Sequence, residues 1–171
     1  MVLNLNRSFV IILIDNNQIV LASIFQSLKT SSELNNDILR HIVLNTYRMY
    51  RNKFHKIYGE LVICHDSKNY WRKDIFPFYK ENRKRQMKAS GIDWKSIFEV
   101  LDSIREELEE NLPYKNIRVD RTEADDVISI LCRRYPNEKN VIISNDKDFQ
   151  QLLRYPNVDQ YSPMKKDFVV C

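Results

Sequence analysis

Seven carboxylates of this chain stand where an apolar run gives way to a helix or loop: Asp15, Asp66, Glu123, Asp125, Asp126, Asp146 and Asp148. Asp15 follows the apolar run over 9–14, Asp66 comes just after Leu61-Val62-Ile63-Cys64, and Asp146 and Asp148 come just after Val141-Ile142-Ile143. Two carboxylates about 4 Å apart repel by roughly 4 kcal/mol at an effective dielectric near 20. A crevice holding most of these acids therefore needs cations, and oxygen-only ligands point to Mg or Mn rather than zinc. Whether they share a crevice depends on the elements that carry them. Continuous apolar runs separated by helical stretches read as strands of a parallel sheet buried on both faces. Ligands of such sheets bind beyond the carboxyl ends of the strands, which is where these acids lie.

The remaining pattern fills in the connections. A helix begins after strand one on Ile19, Ala22, Ser23 and Gln26, and a longer one runs from 34 to about 54 on the repeat of Ile38, Ile42, Asn45 and Met49, capped by Asn35 or Asn36. Strand two covers about 60–64. A helix from 93 or 94 to 112 has Asp93 as its cap and Pro113 beyond its end, and 117–119 is short and β-like. Thr122 reads as the N-cap of a helix through Arg134, with Glu123, Asp125 and Asp126 in its first turn. A single acid there is accounted for by the helix dipole; three within four residues exceed that need. A strand over 141–143, a short helix over 148–154 and β-like pieces at 158–160 and 168–170 complete the order. The expectation is a three-layer α/β fold around a mostly parallel central sheet.

The 43% hydrophobic content of 171 residues is enough for one folded domain with a substantial core, and 2 glycines and 5 prolines leave little room for flexible linkers. Cys64, Cys132 and Cys171 are too scattered for a disulfide framework or a zinc site, which fits a reducing cytoplasm. Asp15-Asn16-Asn17 interrupts the N-terminal apolar stretch, so it reads as a strand rather than a signal peptide or a membrane helix. The net charge of +4 conceals segregation. Lys68, Arg72, Lys73, Lys80, Arg83, Lys84, Arg85 and Lys88 face only Asp74 and Glu81 over 68–88, a local +6 that leaves −2 for the rest. Tyr70, Trp71, Phe76, Phe78 and Tyr79 interleave with these cations. Cations neutralise phosphates and rings stack on bases, so the segment suits a strand of nucleic acid. A solvated basic loop is the alternative; closeness to Asp66 favours the functional reading.

Thr122-Glu123-Ala124-Asp125-Asp126-Val127-Ile128 and Ile143-Ser144-Asn145-Asp146-Lys147-Asp148-Phe149-Gln150-Gln151-Leu152 resemble the paired acidic signatures of the 5′ nuclease superfamily, which includes flap endonucleases and the 5′ nuclease domain of bacterial DNA polymerase I. Leu13-Ile14-Asp15 and Asp66 match its two earlier acidic positions, and Tyr79-Lys80-Glu81-Asn82-Arg83 resembles its arch signature. Tyr70-Trp71-Arg72-Lys73-Asp74, Tyr155-Pro156-Asn157-Val158 and Ser162-Pro163-Met164 are similar to the T-even-type phage ribonucleases H within that superfamily. The resemblance spans essentially the whole chain.

It implies a metal-dependent 5′-to-3′ nuclease with flap endonuclease and ribonuclease H activity that removes RNA primers or 5′ flaps during DNA replication. Two Mg ions, replaceable by Mn, would do the chemistry. Asp15, Asp66, Glu123 and Asp125 would serve the first ion, joined by Asp126 at i+3 from Glu123, and Asp146 and Asp148 the second. Lys80 and Arg83, three apart, would hold the scissile phosphate. Tyr79 would stack on a base, while Arg72, Lys73, Lys84, Arg85 and Lys88 would line a passage for the 5′ strand. Implied partners are DNA and RNA:DNA with free 5′ ends or flaps, and a single-stranded-DNA-binding protein or sliding clamp. No membrane is implied, the chain would be a monomer, and its setting would be the host-cell cytoplasm if it is phage-encoded. Superfamily members continue past the last residue here with a further aspartate-bearing strand and a duplex-gripping helical region. The expectation is thus one catalytic core over 1–171, an arch over about 67–93, an absent duplex-binding region and an incomplete second metal site.

A PIN-type ribonuclease shares the acidic crevice but usually lacks the long basic insertion. A phospho-accepting receiver domain uses strand-end aspartates without needing Asp146-Lys147-Asp148 or an arch. A truncated, catalytically impaired DNA-binding or replisome module is the remaining alternative. His41, His55 and His65 read as structural or incidental, Trp71 and Trp94 as packing residues, and Lys147 as either solvent-facing or a local charge balance.

Overall fold

A strand buried on both faces must be apolar at every position. Strand β1 (Ile11–Asp15) meets that demand with four consecutive residues that are at most 5% exposed. In the computed structural model, which describes residues 10–28 and 35–170, β1 lies inside a six-stranded sheet. Phe9, Leu34 and Cys171 of the sequence reading lie outside the described residues. The other strands are β2 (Glu60–His65), β3 (Lys115–Arg118), β4 (Asn140–Ile143), β5 (Val158–Ser162) and β6 (Asp167–Phe168). Their order is β3-β2-β1-β4-β5-β6, with the first five parallel and β6 antiparallel on β5.

Alternation along β1 divides the core. Ile12 and Ile14 pack with Leu61, Ile63, Val141 and Ile143 under helices α1 (Asn16–Leu28) and α2 (Asn36–Tyr58). Ile11 and Leu13 pack on the opposite face with Val62, Cys64 and Ile142. Between β2 and β3 lie α3 (Trp71–Ile75) and α4 (Glu81–Ala89), followed by α5 (Trp94–Asn111), which joins the α1/α2 layer through Ile97, Ile104 and Leu108. Helix α6 (Ala124–Arg134) and a 3₁₀ helix (Lys147–Arg154) cover the other face through Val127, Ile128, Phe149 and Leu152. The result is the expected three-layer α/β core.

The chain builds outward from β1 through β2 to β3, then α6 carries it back across the sheet so that β4 pairs with the other side of β1. That reversal opens a crevice at the carboxyl ends of β1 and β4. The site is placed by this topology.

Two local expectations are corrected. Helix α2 is capped by Asn35, whose Oδ1 accepts from Ile38 N at 2.9 Å, but its buried face is Leu39, Val43, Tyr47, Tyr50, Phe54 and Tyr58. Ile38 and Met49 of the expected stripe are 37% and 52% exposed. The period was sound, and the core stripe lies one residue further on because tyrosines fill it. Helix α6 is capped by Glu123, not Thr122: Glu123 accepts from the Asp126 amide while Asp126 accepts from the Glu123 amide at 3.1 Å, a reciprocal capping box. Thr122 instead donates its hydroxyl to Val119 O at 2.9 Å.

Gly59 turns α2 into β2 at φ +66, and a Cβ there would stand 2.7 Å from the Val10 carbonyl oxygen. Gly59→Ala is expected to lose roughly 1–3 kcal/mol of stability, from left-handed strain and displacement of that carbonyl, read as a lower urea midpoint. No helix among the described residues is long and apolar enough to cross a membrane.

Candidate metal and nucleic-acid site

Each acid is held by the element behind it. Asp15, at the end of β1, accepts from Ser144 Oγ at 3.1 Å, a residue just beyond the neighbouring strand β4. Burial first, and the Asp66 charge second, push its carboxyl up to about 7. Asp66 follows β2 directly and accepts from Asn17 Nδ2 at 2.7 Å and Ala124 N at 2.8 Å, so one carboxylate joins α1 to α6. Asp125 is half-buried, and desolvation followed by the Glu123 charge raises its pKa. Asp146 caps the 3₁₀ helix by accepting from Asp148 N at 2.9 Å, and Gln160 Nε2 fixes its carbonyl at 2.8 Å. Asp146, Lys147 and Asp148 are exposed. Lys147 has no ion-pair partner among the described residues, which settles it as solvent-facing.

His65 is buried and turned away from the acids, between Asn16 at 3.1 Å and Asn116 at 3.0 Å. Its burial disfavours the charged form. His41 and His55 make local contacts along α2, to Asn45 Nδ2 at 2.7 Å and Gly59 O at 2.8 Å.

The basic segment is fastened to the acids at its base. Trp71 N donates to Arg121 O at 2.9 Å and Ser67 N to Thr122 O at 2.9 Å, tying the entrance of this segment to the loop before α6. Arg72 grips Asp126 with both ends of its guanidinium, at 2.7 and 2.8 Å, and reaches Glu123 Oε2 at 2.8 Å. Tyr79 donates its hydroxyl to the same Oε2 at 2.8 Å, and Lys80 Nζ reaches Oε1 at 2.5 Å. Lys80 adopts φ 57, a left-handed backbone that costs a non-glycine residue about 1–2 kcal/mol, at the entrance of α4. Glu123 is 1% exposed, so it depends on these donors. Burial opposes the charged form of Asp126, yet the Arg72 hydrogen bonds and the capping amide outweigh it and hold its pKa below the usual range.

Trp71 is not a packing residue. It is 41% exposed, donates Nε1 to Asp126 at 3.2 Å, and carries the Arg72 guanidinium 4.7 Å over its ring. Trp94 does pack, against the edge of the α1/α2/α5 cluster.

Among the described residues, Glu123, Asp125 and Asp126 form the one group of three potential ligands whose atoms all lie within 4.8 Å of one another. Asp125, Asp126, Asp146 and Asp148 line a cavity of about 330 Å³. Asp66 lines a larger one, of about 750 Å³, together with Lys73, Lys80, Arg83, Lys84 and Lys88 of the basic segment. Tyr79 lines both, at the partition. Arg85 is outside both linings and pairs with Glu81 along α4 at 3.7 Å. The donor set fits a hard divalent cation: its ligands are carboxylate oxygens, and Asp15 and Asp125 are half-buried acids whose charge lacks a compensating ion pair among the described residues. Sequence reasoning missed Ser144 and Asn17, whose only signal is adjacency to Asp146 and Asp15.

A sequence profile described as 5′-3′ exonuclease, N-terminal resolvase-like domain, matches residues 10–170. The chain belongs to that family of nucleases. Ribonuclease H of Enterobacteria phage T4 is 37% identical over 164 residues, a match covering 93% of this chain and 54% of the phage protein. The flap endonuclease Xni of Shewanella sp. (strain MR-4) is 32% identical over 103 residues, covering 58% of this chain and 35% of the relative. The chain thus spans about half the length of the T4 relative and a third of the other. The bacteriophage T5 5′-exonuclease with bound zinc has the same fold at a TM-score of 0.68 and 18% identity, over 93% of this chain and 57% of that one. The T5 flap endonuclease in a pseudo-enzyme–product complex with DNA and metal ions aligns at 0.68 and 16%, over 92% and 56%.

Proposed function

We propose that residues 1–171 form the catalytic core of a Mg-dependent 5′-to-3′ nuclease acting on 5′ flaps and RNA:DNA, with 67–93 as its arch. The observation that carries this reading is the convergence of acids from four separated segments, Asp15 beside Asp66 and Asp146 and Asp66 bonded to the start of α6, next to a cavity lined by Lys80 and Arg83. Asp15, Asp66, Glu123 and Asp125, with Asp126 alongside, would hold one divalent ion and Asp146 and Asp148 a second. When bound, such ions activate a water for in-line attack and neutralise the leaving oxygen. The protein's own residues do the remaining work. Lys80 and Arg83 hold the scissile phosphate; Lys73, Lys84 and Lys88 draw in the 5′ strand, and Arg85 adds to the field around it. Burial makes the Asp15 carboxyl hold its proton more tightly than a free carboxyl does, and a cation beside it would favour the carboxylate.

The test is a 5′-labelled flap and a 5′-labelled RNA:DNA duplex incubated with Mg. Short 5′ products are expected, and none in EDTA. Lys80→Ala is expected to lower cleavage roughly 100-fold by removing a cation from the developing charge. Binding of the flap without cleavage at any Mg or Mn concentration would establish the second reading, a DNA-binding module. That reading is favoured by the arch cations on Glu123, which compete with metal.

A further inference from the structure

The arch base and a divalent ion need the same lone pairs. Glu123 has both oxygens engaged, Oε2 by Arg72 and Tyr79 and Oε1 by Lys80. Asp126 has both oxygens engaged by Arg72, with Trp71 and the Glu123 amide adding to Oδ2. All four arch donors come from residues 71–80, and Glu123, at 1% exposure, leaves solvent almost no access to substitute for them. A divalent cation seated on Glu123 and Asp125 would face Arg72 and Lys80 across a few ångströms, and like charges sharing one carboxylate repel.

We propose that Arg72 and Lys80 are resident counter-ions of the acidic centre, exchanged for metal, so that metal occupancy and the position of the arch base are coupled. The inference rests on the proposed function. With metal absent, the two cations neutralise Glu123 and Asp126 and hold the arch base down on the acids. With metal present, Glu123 turns to the ion, and both cations are released toward the cavity beneath the arch, where a phosphate takes them up. Coupling of this kind is reciprocal: a strand that draws Arg72 and Lys80 away tightens metal binding, and metal tightens strand binding. Arg72 is a positioning residue in this scheme, and lysine, with a single ammonium, cannot reproduce its bidentate grip on Asp126.

Trp71 reports the latch, because its indole lies under the Arg72 guanidinium and donates to Asp126. In a Trp94→Phe background Trp71 is the only tryptophan. Adding Mg without nucleic acid is expected to shift its emission saturably. Electron paramagnetic resonance of free Mn measures the affinity directly, and Arg72→Gln is expected to bind Mn roughly fivefold or more tightly than the unsubstituted protein, with Arg72→Lys between them. Equal or weaker Mn binding by folded Arg72→Gln, or an unchanged Trp71 emission at Mg concentrations that saturate the site, overturns the latch and leaves the proposed function standing. Absence of Mn binding in every protein overturns both. The fluorescence arm needs no charge substitution, so it decides the matter even if Arg72→Gln fails to fold.

Discussion

Asp146→Asn is expected to reduce Mg-dependent cleavage of a 5′-labelled flap by roughly 100-fold or more while leaving the unfolding midpoint in place. Asp146 is exposed, and its structural task is to cap the 3₁₀ helix by accepting from the Asp148 amide. Asparagine caps about as well as aspartate, and its Oδ1 can accept the same bond, so the local fold survives. What disappears is one negative charge facing Asp125 and Asp126 across the smaller cavity. Residues that merely orient metal ligands typically cost 10–100-fold when removed, so loss of a ligand should reach at least the upper end of that range. The pairing of the two readouts makes the test sharp: fragment release reports chemistry, and circular dichroism melting reports the cap. Equal turnover by Asp146→Asn would remove Asp146 and Asp148 from the proposed two-ion assignment.

The strands were legible because parallel strands buried on both faces tolerate no polar interruption, and Ile11–Ile14, Leu61–Cys64 and Val141–Ile143 have none. The face of α2 was not, because counting only aliphatic residues selects Ile38, Ile42 and Met49. The packed stripe draws on Tyr47, Tyr50 and Tyr58, whose rings bury while Tyr58 keeps its hydroxyl on Asp159 at 2.6 Å. The cap of α6 moved from Thr122 to Glu123 for a similar reason: an acid at N3 makes a reciprocal pair with an acid at the cap, and that pairing outweighs the usual preference for threonine.

At the site, sequence order predicted which acids lie at strand ends but not what neutralises them. Arg72 is 54 residues from Asp126, and no local pattern says that it turns inward rather than toward a phosphate. Nor does spacing reveal that Tyr79 divides the acids between two cavities. Those facts depend on the basic segment being pinned by backbone contacts of Ser67 and Trp71 to Thr122 and Arg121, which side-chain types do not encode.

Asp15→Asn is expected to stabilise the metal-free protein, and to do so only toward neutral and alkaline pH. The folded state raises the Asp15 carboxyl from 3.8 to about 7, so the folded protein holds the proton more tightly than the unfolded chain. Stability attributable to this group is therefore greatest below about pH 4, falls as pH rises toward 7, and is constant above it. At 1.36 kcal/mol per unit the full cost is on the order of 4 kcal/mol, an upper figure because local relaxation and water entry reduce it. Asparagine fills the same space, can accept from Ser144, and never ionises. Urea unfolding in EDTA should thus give midpoints that nearly coincide at pH 4 and separate by pH 8, with Asp15→Asn the more stable. Addition of Mg should reverse the order, since the carboxylate gains a counter-ion that the amide binds poorly. Parallel pH profiles for the two proteins would mean that Asp15 is neutralised within the fold, and that its charge is not what draws a cation to the end of β1.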